Sequence, residues 1–364
     1  MQTSATRKLD TALLHQYANE NRIQFANDAL QYKLVDGLKY DDEVKDEIKE
    51  KLSVSKYDKI NFVSLGKYAM AVNYKATGEK KIAVIYAEGD IVDGKGDQEN
   101  IGGDTYRNLI RKARLDTEIK AIVIRINSGG GSAMASENMW REIAVARQDK
   151  PVIVSFGDVA ASGGYYMACG ADSIFAQPNT ITGSIGVFTL LPNMQSFFKN
   201  KLGMTFDGVK TSPDADALSV SKPLTPAQRQ YLQNDVDTIY QTFKQRVAAG
   251  RKKSIEYIDS IGQGRIWSGS RAVELGLVDR IGGLDEAIEA AAKLAKVSGY
   301  GLKEFPEPRN IFELIFGDYQ QNAKQSAIRE ELGAEGMKTC NTLKRAKAMV
   351  GVSQARLPFD FSID

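Results

Sequence analysis

A serine on a tight turn, two glycine-rich loops and a near absence of histidine define the chemistry open to this chain. Ser162 lies in Asp158-Val-Ala-Ala-Ser-Gly-Gly-Tyr-Tyr, after a run with the composition of a buried strand (Val152 to Phe156) and before a short apolar helix expected at Tyr165 to Cys169. Small neighbours leave its hydroxyl open to a substrate, and a helix N-terminus offers unpaired N–H groups and positive dipole to an oxyanion. The same residues would also make a plain turn in which the serine is only a cap. A second loop, Asn127-Ser-Gly-Gly-Gly-Ser, follows the apolar run Ala121 to Ile126. In an open parallel sheet such loops meet at the carboxyl edge of the strands. There Gly130 can bring a bare N–H toward a carbonyl attacked by Ser162, with the Gly163 N–H as second donor. Ser184, in Thr182-Gly-Ser-Ile-Gly, is placed either to orient a base or to bond its own turn. The glycine loop has neither the Gly-Lys-Ser/Thr of a phosphate cradle nor the spacing of a dinucleotide fingerprint. The single histidine, His15, falls in a polar helical stretch far from Ser162, so imidazole is not the expected base.

The elements that must position these loops alternate along the chain. Lys81 to Ala87, Ala121 to Ile126 and the run before Ser162 read as buried strands, with helices between them at 104–115 and 135–146. That spacing predicts right-handed βαβ units and a parallel sheet. Between the first strand and its helix lies a Gly-rich polar stretch, from Glu88 to Gly103, that reads as a long loop. Further helices are expected at Pro192 to Leu202, after the Thr225-Pro-Ala-Gln capping sequence, and at Ile255 to Ile261, Ser270 to Leu275 and Asp285 to Lys296. The helix after Thr225 carries an apolar face from Leu232 to Val247, long enough to act as an arm against a neighbouring subunit.

Length and composition narrow the function classes. The chain has 364 residues, 43% hydrophobic and 26% charged, with a net charge of +2. Such a balance speaks against a nucleic-acid binder that relies on neutralising phosphates. Two cysteines, Cys169 and Cys340, are too few for a disulfide framework or a zinc site, and no metal or cofactor is expected. There is no run of 18 apolar residues, and the stretch from Met1 to Asp10 has no hydrophobic signal region, so the chain as it stands is expected neither to span a membrane nor to carry a signal peptide.

An internal repeat sets the domain organisation. Arg22 to Glu43 aligns without gaps to Arg265 to Glu286, at a constant offset of 243, with identities at Arg22, Ile23, Ala29, Leu34, Val35, Asp36, Asp42 and Glu43. The second occurrence closes a complete α/β unit, whereas the first has none before it. The expected division is therefore 1–52 as the helical tail of a truncated first repeat, 53–80 as a linker with a short hairpin (Asn61 to Val63, Ala69 to Tyr74), 81–300 as the α/β domain, and 301–364 as a peripheral helical tail.

Three blocks, Asn127-Ser-Gly-Gly-Gly-Ser-Ala, Asp158-Val-Ala-Ala-Ser-Gly-Gly-Tyr-Tyr and Ile181-Thr-Gly-Ser-Ile-Gly-Val-Phe, resemble in this order the signature blocks of the signal peptide peptidase A family. The family belongs to the Clp protease and crotonase fold group. The resemblance runs from about Lys81 to Val297. It implies a Clp/crotonase-like parallel sheet with surrounding helices, Ser162 as nucleophile, Gly130 and Gly163 as oxyanion hole, and a neutral lysine as base. Where short members carry that lysine, this chain has Ala215, leaving Lys210 and Lys222 as nearby alternatives. In long, duplicated members the first copy supplies the lysine and the second the serine. The resemblance thus implies a serine endopeptidase whose base comes from the missing part of a first repeat, with a membrane anchor ahead of that repeat missing as well. Its substrates would be remnant signal peptides, its place the periplasmic face of a bacterial inner membrane, and its assembly a homo-oligomer. The rival readings are a catalytically incomplete chain acting as an assembly or binding subunit, and crotonase-type acyl-thioester chemistry at the same paired amides.

Overall fold

Runs of Ile, Val and Ala without polar alternation become strands covered on both faces, and they form the centre of this molecule. The computed structural model describes residues 2–64, 78–307 and 349–358 apart from positions 21, 98, 213 and 217, together with position 68 and scattered positions from 333 to 347. The chain divides into two units, Met1–Tyr74 and Lys75–Asp364.

The first unit contains α1 (Gln2–Arg7), α2 (Thr11–Asn19), α3 (Ala26–Gln31) and α4 (Asp41–Lys51). None of the described residues of α2, α3 or α4 is fully buried. Of the expected hairpin, residues 61–63 have no regular structure and residues 69–74 lie outside the described residues.

The second unit opens with β1 (Lys81–Glu88), β2 (Asp90–Val92), β3 (Asn100–Gly102) and α5 (Gly103–Leu115). The stretch read as a polar loop thus holds two short strands. Each is seated by one buried isoleucine, Ile91 or Ile101, too few residues to show a period in the sequence. Then follow β4 (Ile119–Ser128), β5 (Gly130–Ser132), α6 (Ala133–Asp149), β6 (Val152–Ala161) and α7 (Gly163–Ala168). β6 does not stop at Phe156. Its pairing with β4 shifts register beyond Ile126, next to Gly157, and the strand continues to the edge of the serine turn. The remaining elements are β7 (Ser173–Ala176), β8 (Ile181–Gly183), β9 (Phe188–Thr189), α8 (Gln195–Leu202), α9 (Pro226–Arg251), α10 (Ile255–Ile261), β10 (Ile266–Ser268), α11 (Gly269–Glu274), β11 (Arg280–Ile281), α12 (Leu284–Leu294), β12 (Gly301–Phe305) and β13 (Ser353–Arg356). The capping box ahead of α9 forms as its sequence predicts: Thr225 Oγ1 accepts from the Gln228 N–H at 3.2 Å, and Gln228 Oε1 accepts from the Thr225 N–H at 3.1 Å.

Two sheets result. The larger has the order β10-β8-β6-β4-β1-β12, with β7 beside the first half of β6 and β11 beside β7, and every pair except β8 with β10 is parallel. Alternate residues feed opposite faces: Ala83, Ile85, Ile122 and Ile124 join α5, α6 and α7 in one apolar cluster, while Ile82, Val84, Val123 and Ile153 meet α12 in the other. The fold is a mixed α/β architecture on a parallel sheet surrounded by helices. The smaller sheet has the order β3-β2-β5-β13-β9. One strand of each sheet comes from the part of the chain read as a peripheral helical tail. β12 extends the main sheet beside β1, and β13 is inserted between β5 and β9, so 301–364 contributes to both sheets. Residues 308–332 of that tail lie outside the described residues. Among the described residues no helix is long and apolar enough to cross a membrane.

Candidate active site

Ser162 stands at the junction of β6 and α7 with φ 51° and ψ −114°, a backbone conformation that L residues with a side chain rarely adopt. Neighbouring strands hold it there. The Ser162 N–H donates to the Gly183 carbonyl at 2.8 Å, continuing the β6–β8 ladder, and its carbonyl accepts the Tyr166 N–H at 2.7 Å as the first turn of α7. The two following residues must be glycine because the chain is crowded. A methyl group on Gly163 would lie 2.6 Å from Ser136 Oγ, and one on Gly164 would lie 2.8 Å from the Ser128 carbonyl. Sequence and strain agree, and a serine held on a strained strand-to-helix turn is how many hydrolases expose a nucleophile.

α7 is fixed from behind. All six of its residues are buried. The Tyr165 hydroxyl donates to the Leu277 carbonyl at 2.8 Å, and the Tyr166 hydroxyl donates to Glu137 at 2.7 Å. Glu137 also accepts from Arg246 of α9 at 2.7 Å, and the Arg246 guanidinium lies 4.2 Å from the Trp140 ring centre. Burial and the Glu137 carboxylate push the Tyr166 phenol well above its ordinary range, so it stays a donor. Cys169 is a buried free thiol, pushed up by the same burial.

The structure brings the predicted residues together unequally. Gly130, at φ 99°, faces Gly163: a methyl group built on Gly130 would lie 2.6 Å from the Gly163 nitrogen. The Gly130 N–H itself donates to Ser128 Oγ at 3.1 Å. Ser162 Oγ is directed at the Gly186 carbonyl at 3.4 Å, a long contact that leaves the hydroxyl without a strong partner. Ser184 is buried at φ 48°, its N–H bonded to the Arg265 carbonyl at 2.7 Å, and with Gly186 it lines a cavity of about 340 Å³. Lys210 and Lys222 share one carboxylate. Both pair with Asp216, Lys210 at 3.1 Å. The Asp216 carboxylate at this distance favours the charged form of Lys210, the opposite of what a neutral base needs. His15 lies in α2, in the first unit. Among the described residues no group of three His, Cys, Asp or Glu side chains is placed to hold a metal ion.

One contributor had no signal in the sequence. β13 pairs antiparallel with β5, Ala355 opposite Gly131 and Arg356 opposite Gly130, and on its other edge with β9. The short polar segment Ser353-Gln-Ala-Arg shows neither strand periodicity nor a motif, and only its neighbours make it a strand.

Geometry of this kind defines a class: a parallel α/β protein with a strained, buried serine on a strand-to-helix turn, beside a glycine loop at the carboxyl edge of its sheet. The sequence profile of peptidase family S49 matches residues 144–298. The chain is 38% identical to Protease 4 of Salmonella typhi, over 87% of this chain and 51% of that protein. It is 33% identical to a putative protease of a Synechocystis species, over 73% of this chain and 93% of that protein. It is also 31% identical to a putative signal peptide peptidase of Enterococcus faecium, over 64% and 68% respectively. The chain belongs to the signal peptide peptidase A family, peptidase family S49. It spans about half the length of the Salmonella protein.

Proposed function

We propose that this chain carries the nucleophile of a serine endopeptidase, and that Ser162 forms an acyl-enzyme with the carbonyl of an extended peptide. The observation that carries the reading is the strained φ of Ser162 on a turn whose next two residues admit no side chain. As the hydroxyl adds to the carbonyl, the oxygen becomes an oxyanion. The Gly163 N–H and an amide of the Gly130 loop are its donors, worth about 3–4 kcal/mol each when preorganised. Ser184 lies beside the Ser162 contact at Gly186 and serves to orient the base. That base is a lysine from a preceding repeat rather than Lys210 or Lys222, which are held on Asp216. Support for this comes from the repeat at residues 22–43 and from a relative of which this chain covers about half.

In this reading the substrates are signal-peptide remnants, as the name of the Enterococcus relative suggests. The site faces the periplasm, with a membrane anchor in the preceding part, and α9 serves as an arm in a homo-oligomer. The reading is tested with the chain joined to its preceding repeat and an unstructured peptide as substrate. Ser162→Ala lowers kcat by about 10⁴-fold or more; unchanged turnover contradicts the assignment.

A further inference from the structure

We propose that β13 occupies the peptide-binding slot of the site and inhibits it in cis, with Ala355 seated where the residue to be acylated would sit. The inference rests on the reading of Ser162 as the nucleophile and identifies how a substrate lies before it.

Position is the first argument. β5 follows directly on the Gly130 loop, and β9 follows closely on the Ser184 and Gly186 turn; the two strands are joined only through β13. Together they bound a slot one strand wide, which a peptide enters by adding backbone hydrogen bonds on both sides. Register is the second. The Leu357 N–H donates to the Gly129 carbonyl at 2.9 Å. In an antiparallel ladder the exchanging pairs recur every second residue, so Ala355 and Gly131 form the next such pair and the Gly131 N–H is directed at the Ala355 carbonyl. That carbonyl also abuts the residue after the nucleophile: a methyl group placed on Gly163 would lie 2.8 Å from it, and one on Gly130 2.2 Å. The oxygen therefore sits between the glycine loop and the N-terminus of α7, where an oxyanion would be held.

The side chains fit a bound ligand read by alternation. Ala355 is buried to 1% exposure, and Leu357 is buried beside Gly129. Between them Arg356 points the other way, to Asp90 at 2.7 Å. The slot thus prefers a peptide with a small residue at the acyl position and a basic residue after it. A tethered strand has an effective concentration in the mM range, so the native chain excludes any peptide of ordinary affinity.

The test uses the chain carrying Ser162→Ala, which cannot be acylated, so that binding is read apart from chemistry. A fluorescent hexapeptide with the sequence of Ser353 to Pro358 is titrated by anisotropy against the full chain and against a chain ending at Val352. The shortened chain is expected to bind it at least tenfold more tightly than the full chain, and a peptide carrying Ala355→Lys is expected not to bind. Equal binding by the two chains, or none by a shortened chain that is folded by circular dichroism, overturns the proposal. If the shortened chain does not fold, amide exchange at Gly131 decides. It should be protected in the full chain and at least tenfold faster in full-length Ala355→Lys; an unchanged rate overturns the proposal. Failure of the peptidase reading looks different, because peptide binding then persists while Ser162, in the unblocked chain joined to the proposed preceding repeat, takes no acyl group.

Discussion

The chain folds the same helix pair twice, once exposed and once buried. α3 and α4 span 26–31 and 41–51, α11 and α12 span 269–274 and 284–294, so the bounds match residue for residue at the offset of the repeat. Details match as well. Lys33 and Gly276 each take the left-handed conformation after the first helix, at φ 59° and 71°. The next N–H, of Leu34 or Leu277, returns to the carbonyl of Ala29 or Ala272 at 2.8 Å. Glu43 and Glu286 each cap the second helix by accepting the N–H of Tyr40 or Gly283, at 2.7 and 2.8 Å. What differs is burial. Ala272, Leu277, Ala287 and Ala291 are fully buried, α12 lying on β4 and β6, while Val35 and Val44 in the first pair are 36% and 43% exposed. The sequences diverge where the burial does: Lys45 and Lys49 stand at the positions of Ile288 and Ala292. Caps and the left-handed turn are local instructions carried by a few identities. Burial is an instruction that needs a sheet underneath.

If that comparison is sound, truncating equivalent leucines has unequal effects. Leu277→Ala should destabilise the second unit by about 2–5 kcal/mol in urea unfolding, through lost burial and the cavity left behind. Leu34→Ala, at a half-buried position, should cost no more than about 1 kcal/mol. Equal losses would mean that the first pair rests on a core as complete as the second. A smaller effect sharpens the local half of the comparison. Lys33→Gly relieves a non-glycine residue at positive φ and should stabilise the first pair by about 0.5–1 kcal/mol, seen as up to about fivefold slower amide exchange at Leu34. Faster exchange would show that the turn at Lys33 is not held by the geometry of Gly276.

The parts of the molecule that were legible from the sequence follow the same division. The parallel sheet was readable because its strands are covered on both faces and written as unbroken apolar runs, Lys81 to Ala87 and Ala121 to Ile126 among them. The serine turn was readable because crowding around Gly163 and Gly164 leaves a local trace. β2 and β3 were hidden because each rests on a single isoleucine. β13 was hidden for a stronger reason: Ser353 to Arg356 has no preference of its own, and its strand exists because β5 and β9 offer two edges. Lys210 and Lys222 were candidates through proximity in sequence alone, and the structure spends both on Asp216.

The central claim, that Ser162 is a nucleophile, is tested most directly by covalent labelling with a fluorophosphonate, read by peptide mass spectrometry. The protein is the chain joined to the preceding repeat proposed above, in the native form and with Ala355→Lys to unseat β13. The account predicts one adduct, on the peptide containing Ser162, formed at least tenfold faster in the Ala355→Lys form and lost with Ser162→Ala. No adduct on Ser162 in either form would contradict it, leaving a parallel α/β fold without the acyl chemistry proposed for it.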